Sequence, residues 1–234
     1  MFDHKTNGSN AYPIISKREP LGVISEQYRK LRTNIEFSSF NEEIKTICIT
    51  STFPEEAKTI TTLNLGTVYA QSETKTLIID MDLRKPKIHR AFNLSNQQGL
   101  SNIITDDLSK EKAIQTVDEY LDVLPAGKTL PFPSEFLMSK KLKKLLLDLK
   151  QSYDRIIIDT PPMSAVTDAT IISKLTDGTI MIFASRKTNG DVAQGMLKSL
   201  KDNGANVIGG ILTRVRKKDH RYNNYYYYNQ EKED

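Results

Sequence analysis

Short apolar runs and helical stripes alternate along most of the chain. From Ser25 the pattern turns helical, with Tyr28, Leu31 and Ile35 on one stripe and Ser25 placed to cap it. Ile44 to Thr50 is a continuous β-rich run, the first expected core strand. Thr59 to Tyr69 follows as a helix, with Leu63, Leu65 and Val68 inward. Lys75 to Asp80 is a second strand, apolar throughout as expected where both faces are covered. Residues 88–118 read as mixed short helices and loops. Leu121 to Leu124 is a short third strand, followed by a loop with Gly127, Pro131 and Pro133. Lys140 to Gln151 turns Leu142, Leu145, Leu146 and Leu149 to one side, which predicts a helix. Arg155 to Asp159 is the fourth strand, closed by Thr160-Pro161-Pro162. Val166 to Leu175 is helical, Thr179 to Ala184 a strand, Asp191 to Asn203 a helix and Val207 to Leu212 the last strand. Strands alternating with helices predict an α/β fold, a doubly wound, mostly parallel sheet flanked by helices.

The ends depart from this pattern. Residues 1–20 are polar, with Gly8, Pro13 and Pro20, and read as a flexible arm that can lie along the body. Residues 21–214 form the one folded domain. Residues 215–234 begin with a basic run (Arg216, Lys217, Lys218, His220, Arg221) and end acidic. Half of the chain's ten tyrosines, Tyr222 and Tyr225 to Tyr228, lie between. That segment has no apolar period with which to join a core, so a disordered tail is expected.

Composition narrows the function classes. The chain has 234 residues, 38% hydrophobic and 26% charged, which suits one globular domain with tails. A net charge of +4 does not by itself call for nucleic acid. Cys48 is the only cysteine and sits within a predicted strand, as a small buried hydrophobe would. No run approaches the roughly 20 apolar residues that span a bilayer, and Met1-Phe2-Asp3-His4-Lys5 lacks a signal-peptide core. A reducing cytoplasm is the expected compartment, with membrane attachment only through a partner. His4, His89 and His220 have no ligand spacing, which argues against zinc. Ser51 and Ser164 have no matching His/Asp arrangement, so serine hydrolase chemistry is not indicated.

The chemistry collects at predicted strand ends. Thr50-Ser51-Thr52-Phe53-Pro54-Glu55-Glu56-Ala57-Lys58-Thr59 runs from strand through turn into helix, the layout of a phosphate-binding loop. In such a loop Lys58 reaches the outer phosphates and Thr59 holds Mg²⁺. Glu55 and Ala57 stand where that motif has glycine, and by itself the stretch also suits an ordinary strand–turn–helix. The second strand ends in Asp80 and Asp82, and the fourth in Asp159. Ligands bind at the carboxyl ends of parallel strands, and carboxylates beside a phosphate loop are what Mg²⁺-nucleotide chemistry requires. Glu26, Arg29 and Arg32 recur every third residue, as a solvated face with local ion pairs or as a contact to a neighbouring subunit. The tyrosine cluster suits base stacking, an aggregation-prone tract, or a phosphorylation substrate.

Together these stretches resemble the bacterial tyrosine kinases of capsular and exopolysaccharide systems, in the form whose cytoplasmic kinase is separate from its membrane activator. These kinases are related to partition and septum-site ATPases with a deviant phosphate loop. Residues 50–59 match the family's first nucleotide motif, less two glycines. Leu77 to Pro86 resembles its aspartate-rich second motif, and Ile156 to Pro162 its third. Glu26, Arg29 and Arg32 match the Glu-x-x-Arg-x-x-Arg element through which such kinases form rings.

The resemblance implies a P-loop fold binding ATP and Mg²⁺. It implies nucleotide contacts from Ser51, Pro54, Glu55, Glu56, Ala57, Lys58, Thr59 and Ile60, and from Arg214 near the adenine. Thr59, Asp82 and Asp159 would hold the metal. Lys58, Asp80 and Asp82 would carry catalysis, with Asp80 accepting the tyrosyl proton. Tyr222, Tyr225, Tyr226, Tyr227 and Tyr228 would be phosphorylated in trans within a homo-oligomeric ring, regulating polymer synthesis. A membrane activator and a tyrosine phosphatase would be the partners, with no nucleic acid, and the protein would lie peripherally at the inner face of the membrane. A catalytically impaired scaffold with an altered loop and a partition-type ATPase are the alternatives.

Overall fold

A computed structural model describes residues 12–38 and 43–216. The chain begins with α1 (Ile15–Arg18) and α2 (Val23–Ser38), then β1 (Thr46–Ser51), α3 (Lys58–Ala70) and β2 (Thr76–Asp80). Three short helices follow, α4 (Ile88–Ala91), α5 (Leu100–Thr105) and α6 (Lys110–Ala113), then β3 (Gln115–Asp118) and β4 (Leu121–Leu124). The second half runs α7 (Pro133–Leu137), α8 (Lys140–Ser152), β5 (Arg155–Asp159), α9 (Asp168–Ser173), β6 (Gly178–Ala184), α10 (Gly190–Asp202) and β7 (Val207–Thr213).

The strands form one sheet in the order β3-β4-β2-β5-β1-β6-β7. Every pairing is parallel except β3 with β4. β1, β2 and β5 are buried along their whole length, which explains their unbroken apolar runs. The side-chain period of two sorts them between two layers. Cys48, Leu77, Ile79, Ile156 and Ile158 pack against leucines of α8 and against α5, α7 and α9. Ile47, Ile49, Ile157, Ile180 and Ile182 face the other way, onto Ile35 of α2 and Leu65, Val68 and Tyr69 of α3. Burial pushes the Cys48 thiol up to about 12, so it is an inert core residue.

Four details differ from the sequence reading. The mixed region holds an edge strand, β3, which pairs antiparallel to β4. Its residues alternate between half-buried and exposed, so it carried no apolar run. Ser25 does not cap α2, because the helix starts at Val23 and the Ser25 hydroxyl donates to the Glu19 carbonyl (2.6 Å). The helix expected from Val166 is confined to α9. Finally, the arm lies along the body as expected, but from Ile14 onward it is an ordered part of it and not a flexible one. Ile14 joins Leu63, Ile78 and Ile88 in the core. The Ser16 N–H donates to Asn64 (2.8 Å), and Gln71 donates to the Ser16 carbonyl (2.8 Å). Ile14 with Tyr12 beside it, and a few hydrogen bonds to backbone groups, dock a segment whose average composition is polar.

Gly66 sets how closely α3 lies on the sheet. A Cβ there would sit 2.5 Å from Cδ1 and 2.8 Å from Cγ1 of the buried Ile78. Alanine is the better helix former by about 1 kcal/mol, but overpacking costs about 1–3 kcal/mol. Gly66→Ala is therefore expected to lower stability by about 1–2 kcal/mol in chemical denaturation. An unchanged or raised midpoint would show that the contact is loose.

Candidate active site

The site is built from the carboxyl ends of β1, β5 and β2, which lie side by side. Asp80 and Asp159 are register partners, and Asp159 is paired on its other side with Ile49. The chain reverses direction across the sheet here: β2 lies to one side of β1, and β6 and β7 lie to the other. That is where an open α/β sheet leaves a crevice.

The loop from β1 to α3 wraps this end. The Ser51 hydroxyl donates to the Phe53 carbonyl (2.8 Å). Glu55 has φ 63° and Ala57 has φ 71°, both left-handed. These are the two positions where the motif has glycine, and a Cβ in that region costs roughly 1–2 kcal/mol per residue. Ala57 is also the residue from which α3 springs, and its carbonyl accepts from Thr61 N–H (2.9 Å). The first N–H groups of α3 have no acceptor inside the helix, which leaves them free to donate to an anion. Ile60 is half-buried on the first turn.

Lys58, Thr59, Asp80, Asp82 and Asp159 are all buried. Lys58 Nζ donates to Asp82 Oδ2 (3.1 Å) and lies 3.6 Å from Asp159 Oδ2. The Thr59 hydroxyl donates to the same Asp159 oxygen (2.7 Å). Thr62 lies 3.4 Å from the other Asp159 oxygen, a neighbour that the sequence reading did not include. Burial alone would lower the lysine's pKa, but Asp159 and Asp82 outweigh it and hold the ammonium charged. Asp80 faces a different set of partners. One oxygen accepts from Lys87 N–H (2.8 Å) and Ile88 N–H (3.0 Å), and the other from Asp82 N–H (3.2 Å). Burial, with Asp159 nearby, pushes its carboxyl up to about 7.

Other expected residues lie outside this cluster. Arg214 has φ 56° and donates to the Glu55 carbonyl (2.5 Å). Glu56 is fully buried, and its carboxylate accepts from Phe53 N–H (2.8 Å). Arg84 donates to the buried Asp168 at 2.9 and 3.2 Å, and Ser134 donates to the same carboxylate (2.8 Å). Neither Asp168 nor Ser134 carried a sequence signal. On α2, Arg29 pairs with Glu26 (2.7 Å) and Arg32 donates to the Val68 carbonyl (2.7 Å). The five tail tyrosines lie outside the described residues.

Residues 44–191, more than half of the chain, match the AAA domain family. Tyrosine-protein kinase YwqD of Bacillus subtilis (strain 168) is 41% identical over 214 residues, covering 91% of this chain and 90% of the relative. Putative tyrosine-protein kinase CapB of Staphylococcus aureus is 37% identical over 224 residues, covering 95% and 98%. The chain belongs to the bacterial tyrosine kinases. The crystal structure of the chimerical protein CapA2B2 superposes with a TM-score of 0.84 at 36% identity, over 87% of this chain and 90% of that one.

This family implies a magnesium ion. The donor set fits one, since Thr59, Asp82 and Asp159 offer only hard oxygen ligands. Among the described residues no three His, Cys, Asp or Glu side chains form a metal-binding group. An ion here would complete its shell with phosphate and water, which is magnesium's usual habit.

The strained loop yields an inverted mutational effect. Glu55→Gly and Ala57→Gly each relieve a left-handed Cβ, less the entropy that glycine adds to the unfolded chain. Each is expected to stabilise the protein by about 0.5–1 kcal/mol in chemical denaturation. A loss of stability from either would mean that the loop is not held in the left-handed region.

Proposed function

We propose that the chain is a protein-tyrosine autokinase. It transfers the γ-phosphate of ATP to the tyrosine cluster of a neighbouring copy's tail. The observation that carries this reading is the buried Lys58 at the end of the phosphate loop, held by carboxylates from two neighbouring strand ends. The proposed role of Lys58 is to leave those carboxylates for the β- and γ-phosphates, while loop N–H groups wrap the chain of phosphates. Thr59, Asp82 and Asp159 would hold the metal, whose charge would neutralise that of the phosphates.

The transfer balances simply. The tyrosyl oxygen bonds to the γ-phosphorus, the bond to the β-phosphate oxygen breaks, and ADP leaves with the electron pair. Asp80 is the candidate for taking the phenolic proton, and a pKa near neutrality suits a general base. Positioning and charge neutralisation carry the rest. Arg214 is assigned to the adenine side of the site.

In this reading Glu26, Arg29 and Arg32 join copies into a ring, so that one tail reaches the next site. Each phosphotyrosine adds about −1.5 to −2 charges, and several together drive the subunits apart. This cycle regulates capsular or exopolysaccharide synthesis, with a membrane activator and a phosphatase as partners. No helix among the described residues is long and apolar enough to cross a membrane, so attachment is assigned to the activator. The left-handed Glu55 and Ala57 favour one other reading, a catalytically impaired scaffold.

Mass spectrometry after incubation with Mg-ATP, with and without the activator's cytoplasmic segment, separates the two. Phosphate is expected on Tyr222 and Tyr225 to Tyr228, falling roughly 10²-fold or more in Lys58→Met. An unmodified tail under both conditions favours the scaffold. Native mass spectrometry should show a ring that dissociates on full phosphorylation, and the same oligomer before and after would refute the opening step.

A further inference from the structure

Three successive carbonyls of the phosphate loop are held from outside. The Pro54 carbonyl accepts from Lys187 Nζ (2.8 Å), the Glu55 carbonyl from Arg214 (2.5 Å), and the Glu56 carbonyl from the Thr213 hydroxyl (3.0 Å). Lys187 belongs to the turn after β6, Thr213 ends β7 and Arg214 follows it. A fourth contact runs the other way. The fully buried Glu56 carboxylate bridges Phe53 N–H (2.8 Å) and the Thr188 hydroxyl of that same turn, and Thr188 in turn accepts from Ala184 N–H (3.0 Å).

In a planar trans peptide, the carbonyl of one residue and the N–H of the next point in opposite directions. Drawing the carbonyls of residues 54, 55 and 56 outward therefore turns the N–H groups of Glu55, Glu56 and Ala57 away from the brace. The brace lies on the β6–β7 side of β1, whereas β5 and β2, with Asp159 and Asp82, lie on the other. The two residues with strained φ fall inside the braced stretch. We infer that the turn after β6 and the end of β7 form a brace that stands in for the missing glycines. Glu56 and Thr188 are its positioning residues, and they fix the loop in the shape that receives phosphate. This inference rests on the reading of the loop as a nucleotide site. It gives Glu56 a role through its side chain, not as a phosphate contact.

The test is calorimetric titration of Mg-ADP into the full chain. Thr188→Val removes the hydroxyl, and with it both the Glu56 contact and the acceptor of Ala184 N–H, whereas Glu56→Ala removes the bridge alone. Losing a buried hydrogen-bond partner is expected to weaken Mg-ADP binding by about tenfold or more in each. Glu56→Gln can still accept from Phe53 and donate to Thr188, so its affinity is expected within about threefold of wild type. Adding Ala57→Gly to Glu56→Ala is expected to recover most of the loss, a larger gain than the same change gives in wild type.

Thr188→Val and Glu56→Ala both binding within about twofold of wild type would overturn the brace. So would purely additive effects of Glu56→Ala and Ala57→Gly. If Glu56→Ala does not fold, Thr188→Val decides. Lys58→Ala separates the two levels. Binding that Lys58→Ala abolishes but the brace variants retain sinks the brace alone. A folded wild type that does not bind Mg-ADP removes the nucleotide reading and the brace with it.

Discussion

A lysine ammonium buried at the edge of an apolar sheet must have anionic partners. Without Asp82 and Asp159 the cost of desolvating Lys58 would drive it to neutrality or out to solvent. Those partners come from just beyond β2 and from the end of β5, 24 and 101 residues further along the chain than Lys58. The sheet order, with β5 inserted between β1 and β2, is what brings them to one point. The close approach of α3 to β2 at Gly66 serves the same end, because Lys58 and Thr59 begin that helix.

The pairing also suits a site made for charge exchange. In the proposed reaction, a lysine held by two carboxylates would trade them for phosphates, leaving those carboxylates to face a cation that accompanied the nucleotide. Asp80 stands apart from this exchange. Its oxygens are occupied by backbone N–H groups, which organise the turn from β2 into α4.

The far end of α3 is fastened as firmly as its beginning. Arg32 of α2 donates to the Val68 carbonyl in its last turn. Glu36 of α2 accepts from Tyr69 (2.7 Å) and from Arg155 (2.8 and 3.1 Å), and the Arg155 guanidinium lies 4.8 Å from the Tyr69 ring centre. The helix that carries Glu26, Arg29 and Arg32 is thus packed directly on the helix that starts at Lys58. In a ring built through α2, neighbouring subunits would meet one helix away from the phosphates.

The central strands were legible because burial on both faces forces unbroken apolar runs, and Asp80, Asp82 and Asp159 stood out as charges ending such runs. The phosphate loop was legible from Lys58-Thr59 between a strand and a helix. β3 was not, since an edge strand with an exposed face needs no apolar run. The sequence by itself determined the alternation of strands and helices, and so the parallel sheet and the residues at its carboxyl edge. Only the tertiary structure decided which carboxylates meet Lys58, that Glu55 and Ala57 occupy the left-handed region, and that Glu56 turns into the protein toward Thr188. The physical reason is range. Periodicity reports which side of an element is buried, a local property. Hydrogen bonds between residues more than a hundred positions apart depend on strand order and loop path, which no local pattern encodes.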